Sequence, residues 1–305
     1  MGMKSHIVVA ATLFTTLLLA ACSGAQFINA ITPDSGYRVE RGEAYDAADG
    51  LRLDVYVPDG ARDAPLVLFF YGGSWQAGKS LDRSAYKFVG QALAQQGFVA
   101  MIADYRLYPQ VRYPAFLDDC ARALVWAHAH AAAYGADPAK LVVMGHSAGA
   151  YNAAMLALDP DLLRRSGGDR AWLRGMVGLA GPYDFLPITD PVLQELFGPR
   201  ESWPLTQPIH YADGSGPPLL LLAGDDDDVV YVKNTNNLYE RIRGEGGAAE
   251  KVTYPRMGHV KIIALMASRL PGHQELIDHV AGFVRGVTAV PAPQRAADAQ
   301  ARLSP

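Results

Sequence analysis

A serine in a glycine-flanked turn is the first residue of this chain whose type and spacing could do chemistry. Gly145 to Gly149 reads GHSAG, with Ser147 at its centre, between the apolar stretch Leu141 to Met144 and a run of small residues. A serine on a sharp strand-to-helix turn projects its hydroxyl outward, and the glycines keep the turn free of side-chain clashes. The N–H of Ala148 would then lie at a helix N-terminus, where developing negative charge is stabilised. Ser147 is therefore a candidate nucleophile.

A second glycine-rich turn reads YGGSW from Tyr71 to Trp75 and directly follows the apolar stretch Pro65 to Phe70. Consecutive glycines allow backbone N–H groups to approach a ligand closely. The alternative is an ordinary glycine turn with no ligand. The pattern favours an anion-binding role only if other motifs of the chain support it.

The same turn overlaps a phosphate-binding pattern, because Gly73 to Ser80 matches G-x-x-x-x-G-K-[ST] letter for letter. Asp104, at the end of the next apolar stretch, could hold a magnesium ion for such a site. A P-loop nucleotide hydrolase is therefore an alternative interpretation. Against it, Trp75 puts a bulky side chain into a loop that must wrap closely on phosphate. The start of the chain also resembles a secretory signal, and nucleoside triphosphates are scarce outside the cytoplasm.

An acid and a histidine follow Ser147 along the chain, each just past a predicted strand. Asp227 lies in the acidic loop Gly224 to Val230, GDDDDVV, and His259 follows Gly258. Catalytic groups of open α/β sheets gather at the ends of strands. By position alone, the acidic loop could equally be solvated or bind calcium, and His259 could be an ordinary loop histidine.

The elements that would position these residues are apolar strands that alternate with helices. The predicted strands are Tyr37 to Tyr45, Leu51 to Val57, Pro65 to Phe70, Phe98 to Ala103, Leu141 to Met144, Met176 to Leu179, Leu219 to Ala223 and Lys251 to Tyr254. The predicted helices are Ser84 to Gln95, Pro114 to Tyr134, one that starts after Ser147, Tyr231 to Arg243 and Gln274 to Arg285. This alternation predicts an α/β fold, with a mostly parallel sheet and helices on both faces.

Taken together, these motifs resemble the α/β-hydrolase superfamily, in the bacterial carboxylesterase branch related to hormone-sensitive lipases. The matching segments are Tyr71 to Trp75 against the family's HGG-x-W, Asp104 to Leu107, Gly145 to Gly149, Gly224-x-x-Asp227-x-x-Val230 and Gly258-His259. The order serine, acid, histidine is that of the family. The resemblance covers almost all of the folded region and implies an α/β-hydrolase fold.

The resemblance implies a role for each matching residue. Ser147 is similar to the nucleophile, His259 to the general base, and Asp227 to the residue that orients the base. The family's oxyanion-hole donors match the backbone N–H groups of Gly73, Ser74 and Ala148. No metal or organic cofactor is implied.

Two features depart from the family or leave a choice open. Tyr71 stands where the family usually has a histidine that supports the glycine loop, and we expect the oxyanion hole to survive this change. Asp184, which also follows a strand, is an alternative acid of the kind that some lipases use. The segment between Phe185 and Pro218 is rich in proline, so we expect one short helix around Val192 to Phe197 and little or no cap.

The start of the chain resembles a bacterial lipoprotein signal. Lys4 precedes the apolar run Ile7 to Ala20, which is too short to span a bilayer comfortably, and Leu19 to Cys22 resembles a lipobox. The resemblance implies cleavage before Cys22, a lipid on its thiol, and a domain anchored to a membrane of the cell envelope outside the cytoplasm. An ordinary signal peptide followed by an unrelated cysteine is the alternative.

We therefore predict four regions: a signal peptide over 1–21, a tether over 22–36, a hydrolase domain over 37–286 and a disordered tail over 287–305. The formal net charge of −4 falls by one more unit when Lys4 is removed, so no nucleic-acid partner is expected. Cys120, the other cysteine, is expected to pack as a small apolar residue.

The predicted function is a serine carboxylesterase that cleaves short-chain carboxylic esters of small molecules through a Ser-His-Asp triad and an acyl-enzyme. A deacetylase, a formamidase or a peptidase on the same fold is an alternative, because fold does not determine chemistry. More distant alternatives are the nucleotide hydrolase and a lipoprotein scaffold without catalysis.

Overall fold

The computed structural model describes residues 24–79 and 82–289, so the predicted signal peptide, Cys22 and Ser80 lie outside the described residues. Its strands are β1 Tyr37–Asp46, β2 Leu51–Pro58, β3 Ala64–Phe70, β4 Val99–Ala103, β5 Ala136–His146, β6 Leu173–Leu179, β7 Leu219–Gly224 and β8 Ala249–Tyr254. Its helices are α1 over residues 24–31, α2 Lys87–Gln95, α3 Ala115–His130, α4 Ala148–Leu158, α5 Leu162–Arg165, α6 Pro191–Phe197, α7 Lys233–Gly244, α8 His259–Ala264 and α9 His273–Ala289.

The eight strands form one sheet in the order β1-β2-β4-β3-β5-β6-β7-β8. β1 and β2 are antiparallel to their neighbours, and all pairs from β4 to β8 are parallel. The carboxyl ends of parallel strands meet at one edge of a sheet. The turns after β3, β5, β7 and β8 therefore share an edge, and these turns hold the candidate residues.

The central strands are buried along their length because helices cover the sheet. β3 from Leu66 to Phe70 and β5 from Leu141 to His146 have no exposed residue. α4 packs on β5 and β6, and α9 packs on β6 with Phe283 against Gly175. Uninterrupted apolar strands of this kind are typical of parallel sheets covered on both sides. The predicted fold class is confirmed.

The described part of the predicted tether is attached to the domain. In α1, the side-chain amide of Asn29 donates to the carbonyl oxygens of Ser84 and Ala85 at 3.1 and 3.0 Å. Asp34 follows this helix in the sequence, and its Oδ1 lies 2.7 Å from Lys87 Nζ. Polar side chains of this segment therefore bond to the domain.

The C-terminal helix is longer than the sequence pattern indicated. We expected the domain to end at residue 286 and a disordered tail to follow, but α9 continues to Ala289. Thr288 is buried, and its hydroxyl donates to the Val284 carbonyl oxygen at 2.7 Å. The helix continues because its apolar face still packs on the domain at these positions.

The segment between Phe185 and Pro218 contains α6 at the expected place and two 3₁₀ turns, Arg200–Thr206 and Pro208–Tyr211, that the sequence did not reveal. Proline at N1 and the Asp190 side chain, which accepts from the Val192 N–H at 2.7 Å, start α6.

Across residues 24–79 and 82–289, no helix is both long and apolar enough to cross a membrane.

Candidate active site

Ser147 occupies the sharp turn between β5 and α4. Its backbone has φ 54° and ψ −124°, a strained conformation for a residue with a side chain. Its N–H donates to the Leu179 carbonyl oxygen of β6 at 2.9 Å, which holds the turn to the sheet. A Cβ at Gly149 would collide with the carbonyl oxygen of Phe70, and one at Gly145 with that of Gly149. Both glycines are therefore required by close backbone approach.

The turns after β5, β7 and β8 join three side chains in one hydrogen-bonded chain. Ser147 Oγ lies 2.8 Å from His259 Nε2, and His259 Nδ1 lies 2.8 Å from Asp227 Oδ2. An ionised carboxylate can only accept, so the proton of neutral His259 lies on Nδ1. Nε2 is then free to accept the hydroxyl proton of Ser147, which is the arrangement a general base requires.

Asp227 is held as a carboxylate although its side chain is only 1% exposed. Its Oδ1 accepts from the N–H groups of Val229 and Val230 at 3.0 and 2.8 Å. Burial by itself would raise the pKa of Asp227, but the hydrogen bonds from His259 and from these two N–H groups outweigh it and hold the pKa below its usual value.

The other three aspartates of the acidic loop have different surroundings. Asp225, Asp226 and Asp228 are exposed, and Asp225 Oδ1 accepts from the Arg256 N–H at 2.6 Å. In the part of the chain that the structure describes, no group of three or more histidine, cysteine or acidic side chains is arranged to hold a metal ion. The calcium alternative for this loop thus has no ligand set among these residues.

Asp184, the alternative acid, lies elsewhere. Its N–H donates to Asn234 Oδ1 at 2.8 Å, and its Oδ2 accepts from Asn237 Nδ2 at 2.6 Å. Both asparagines belong to α7, so Asp184 joins the turn after β6 to that helix. His259 has Asp227, not Asp184, as its carboxylate partner.

The glycine-rich turn after β3 lies against the nucleophile. A Cβ on Gly72 would come within 2.9 Å of the Ser147 Cβ. Gly73 and Ser74 have φ values of 124° and 54°, and their N–H groups donate no hydrogen bond within the described residues. Ala148 is the first residue of α4, so its N–H has no acceptor within the helix. These three N–H groups thus have no acceptor among the described residues.

Tyr71 supports this turn from the position where the resembled family has histidine. Its hydroxyl donates to Asp104 Oδ1 at 2.8 Å, and its ring stacks between those of Tyr86 and Tyr105 at 5.4 and 5.2 Å. Burial, together with the negative charge of Asp104, raises the pKa of Tyr71 well above its usual value, so the phenol keeps its proton. Its carbonyl oxygen accepts from the Tyr105 hydroxyl at 2.8 Å.

The phosphate-binding pattern does not have the surroundings of a phosphate loop. The Trp75 side chain is only 3% exposed, and its indole N–H donates to Asn152 Oδ1 of α4 at 2.9 Å. Asp104, the candidate magnesium ligand, is bonded to Tyr71 and paired with Arg83. In the described part of the pattern, Gly73 to Lys79, the indole is thus packed into the protein, and Asp104 is engaged by Arg83 and Tyr71.

An aromatic cluster beside Ser147 was not foreseen from the sequence. Its rings are those of Trp75, Phe116, Tyr151, Phe185 and Phe197, with Phe197 centred 5.1 Å from Trp75 and 5.8 Å from Tyr151. Tyr151 lies one helical turn after Ser147, and this spacing was the available signal. The cluster packs α6, through Phe197, against Tyr151 of α4, the helix that begins directly after Ser147.

His146 was also assigned no role, because it occupies the variable position of GHSAG. Its ring is buried directly beside His259, with ring centres 4.9 Å apart. A histidine adjacent in sequence to a candidate nucleophile is the signal that could have drawn attention to it.

Comparison with known proteins finds a matching family model and relatives that align with part of the chain. A family model described as BD-FAE matches residues 53–242. Carboxylesterase NlhH of Mycobacterium tuberculosis (strain ATCC 25618 / H37Rv) is 38% identical over 119 residues, which are 39% of this chain and 37% of that protein. The probable isoprenylcysteine alpha-carbonyl methylesterase ICMEL1 of Oryza sativa subsp. japonica is 31% identical over 163 residues, 50% of this chain and 37% of its own. The chain spans little more than a third of the length of these relatives.

Solved structures share the whole fold. The carboxylesterase EstE1 from a metagenomic library superimposes with a TM-score of 0.74 at 20% identity, over 90% of this chain and 97% of its own. A truncated carbohydrate esterase from gut microbiota gives a TM-score of 0.72 at 20% identity, over 85% and 99% of the two chains. At this identity the likeness establishes the fold of the domain.

Proposed function

Because the chain belongs to the BD-FAE family and has the α/β-hydrolase fold, we propose that it is a serine carboxylic-ester hydrolase. The observation that carries the proposal is the continuous hydrogen-bonded chain from Ser147 through His259 to Asp227. Three unengaged backbone N–H groups beside the serine support it. Relatives named as a carboxylesterase and as a probable carboxylic ester hydrolase agree with this assignment.

In the proposed reaction, His259 Nε2 takes the hydroxyl proton as Ser147 Oγ attacks the ester carbonyl. The tetrahedral oxyanion accepts hydrogen bonds from the N–H groups of Gly73, Ser74 and Ala148. His259 then protonates the departing alcohol, and an acyl-enzyme remains. Water, deprotonated by the same imidazole, releases the acid. Asp227 keeps the Nδ1 proton in place and stabilises the imidazolium.

We propose short acyl groups as the preferred substrates. The aromatic cluster of Trp75, Phe116, Tyr151, Phe185 and Phe197 packs between α6 and α4, the helix that begins directly after Ser147. The segment between Phe185 and Pro218, where a cap could form, contains only α6 and two 3₁₀ turns. A methylene contributes about 0.8 kcal/mol only when it is buried. We expect the highest kcat/KM for acyl chains of about two to six carbons, because a longer chain leaves its end in water.

The proposal is tested with a hydrolysis panel of p-nitrophenyl esters, acetylated sugars and aryl amides, alongside labelling with a fluorophosphonate. The expected result is hydrolysis of short esters and labelling that disappears in Ser147→Ala. Preference for acetylated sugars or for amides would identify the deacetylase or the formamidase or peptidase alternative. Labelling of no residue and hydrolysis of no substrate would leave the scaffold alternative.

The nucleotide hydrolase has a separate test in Lys79→Ala. For an esterase, this substitution leaves ester hydrolysis within tenfold of wild type, and ATP does not raise the melting temperature of either protein. Saturable ATP binding that is lost in Lys79→Ala would overturn the esterase assignment.

We further propose that the protein is lipid-anchored at Cys22 in the cell envelope, which Leu19-Ala20-Ala21-Cys22 supports. Dual or triple acylation gives a stable anchor, whereas one chain does not. In a bacterium, Cys22→Ala is expected to abolish incorporation of radiolabelled palmitate and to release the protein from the membrane fraction. Cys120→Ala is the matched control, because Cys120 is buried in the domain. If the wild-type protein incorporated no radiolabelled palmitate, the proposed lipid anchor would be contradicted.

A further inference from the structure

A hydrogen bond joins the residue before the nucleophile to the backbone of the candidate base. His146 Nε2 lies 3.0 Å from the His259 carbonyl oxygen, across 113 positions of the sequence. The two imidazole rings are 4.9 Å apart, and His146 is only 6% exposed. His146 is therefore the buried link between the turn that carries Ser147 and the turn that carries His259.

The partners of its two nitrogens determine the protonation of His146. A carbonyl oxygen can only accept, so Nε2 carries the proton and donates to His259. Nδ1 is then a lone-pair nitrogen, and it is buried without a hydrogen-bond partner. A Cβ added to Gly72 would lie 3.2 Å from Nδ1, so the glycine turn covers that side of the ring.

The surroundings also keep His146 uncharged. Burial, and the neighbouring His259 when it is protonated, lower the pKa of His146 to about 3. The nearest opposite charge, Asp227, is already bonded to His259. A neutral ring can hold the His259 carbonyl throughout a catalytic cycle without adding a second positive charge next to the imidazolium.

The backbone of His259 needs such a support. It is the first residue of α8, which has only six residues and follows Gly258, a residue without a side chain that could cap the helix. A short helix is marginal by itself, so its start must be fixed by tertiary contacts. The bond from His146 fixes it to the same turn that carries the Ser147 hydroxyl.

We propose that His146 is a positioning residue for the candidate base: its Nε2–H holds the His259 carbonyl so that the imidazole stays between Ser147 and Asp227. This role rests on the proposed function of His259. His146 touches neither the substrate nor the reacting atoms, and its contribution is to alignment. Misplacement of a catalytic group by about 1 Å can cost about a hundredfold in rate.

Two substitutions separate the donor from the volume of the ring. His146→Gln places an amide N–H₂ near the position of Nε2, whereas His146→Phe keeps the ring and removes the donor. On p-nitrophenyl acetate, we expect His146→Phe to lower kcat by about 10- to 100-fold with KM within about threefold, and His146→Gln to recover kcat to within about fivefold of wild type. Melting temperatures of both variants accompany the kinetics.

Two kinetic outcomes would overturn the role. One is a folded His146→Phe protein whose kcat stays within threefold of wild type. The other is an equal loss of kcat in the Phe and Gln variants, because a donor would then make no difference.

A measurement on the wild-type protein keeps the proposal testable even if the variants fold poorly. ¹⁵N NMR of the histidine side chains is expected to show His146 as the Nε2–H tautomer, without titration from about pH 5 to 8. An Nδ1–H tautomer or a protonated ring in an active enzyme would overturn the role of His146 alone. A wild-type protein that hydrolyses no ester would instead overturn the proposed function.

Discussion

Asp227 is distinguished from the three aspartates around it by its partners. It alone is buried, and it alone accepts both from His259 and from the two N–H groups of Val229 and Val230. Its neighbours in the loop are exposed to water. At the scale of the residue, four chemically identical side chains therefore differ in hydrogen bonding and burial.

The Asp227→Asn substitution tests this difference. An asparagine in this position has no negative charge and can donate a hydrogen bond to Nδ1. His259 would then no longer be held as the Nδ1–H tautomer, and its imidazolium would lose the stabilising charge. We expect kcat to fall by about 10³- to 10⁴-fold, as with other triad acids. Asp184→Asn is the matched control and should stay within tenfold, because Asp184 bonds to Asn237 and not to His259. An active Asp227→Asn beside an inactive Asp184→Asn would transfer the role.

The strand-to-helix turn around Ser147 is the element on which the candidate site depends most. α4 begins so close to the end of β3 that Gly149 lies against the backbone of Phe70. We expect Gly149→Ala to destabilise the protein by more than about 3 kcal/mol or to prevent folding, because backbone atoms cannot move aside as side chains can. Urea unfolding measures this effect.

Gly282→Ala is the control for that prediction. Gly282 lies within α9, and a Cβ there meets nothing within 4 Å. Alanine has the higher helix propensity, so the expected effect is stabilisation by about 0.5 to 1 kcal/mol. Equal stability of the Gly149→Ala and wild-type proteins would contradict the close packing of α4 on β3.

The short helix α6 ends at Phe197, a residue of the aromatic cluster that packs against α4. Phe197 at its end contacts Trp75, Tyr151 and Phe185. Phe197→Ala is expected to shift the best p-nitrophenyl ester to a longer acyl chain, because methylenes could then occupy the vacated volume. It should also lower the free energy of unfolding by about 3 to 5 kcal/mol.

Phe283→Ala separates the change in specificity from the loss of stability. Phe283 is a buried aromatic residue of α9 that packs on Gly175, on a different element from the aromatic cluster. It should lower stability by a similar amount without changing the acyl-chain preference. If Phe197→Ala and Phe283→Ala shifted the preferred acyl chain equally, the preference would depend on the stability of the protein and not on the space beside Ser147.

At the scale of the whole molecule, the buried His146 couples folding to pH. The ring is neutral in the folded protein, where its pKa is about 3, and it binds a proton near its usual value of about 6.5 when the chain unfolds. The unfolded state therefore binds more protons between these values, so stability rises with pH in this window. The stabilisation is fully present above about pH 6.5 and is lost progressively as the pH falls towards about 3.

We expect this one group to remove about 2 kcal/mol from the free energy of unfolding between about pH 7 and pH 5. Urea titrations at the two pH values should show that fall in wild type and a smaller fall in His146→Phe. His128, whose pKa is also lowered by burial, acts in the same direction in both proteins. Asp227 contributes only at lower pH, because its pKa lies below the usual carboxyl value. An equal pH dependence in both proteins would contradict a buried neutral His146.

Much of the fold was readable from the sequence. The sequence pattern indicated all eight strands of the sheet, β1 and β2 by alternating residues and most of the others by apolar runs. Glycine and proline marked most of the turns between strands and helices. These features depend on residues close together in the chain, where periodicity and backbone preferences act. The positions of Ser147, Asp227 and His259 past the ends of strands were predictable for the same reason. The short helices α5 and α8 and the 3₁₀ turns were not predictable, because they have too few residues to show a periodic pattern.

Only the tertiary structure decided which of several chemically similar residues, far apart in sequence, are hydrogen-bonded partners. Asp227 rather than Asp184 meets His259 across 32 positions, and Ser147 meets the same histidine across 112. The partner of His146 and the attachment of α1 to the domain depend on contacts of the same kind. Burial and hydrogen bonding give these side chains their charge state and orientation, and both are properties of the surrounding space, which no local pattern of residues contains.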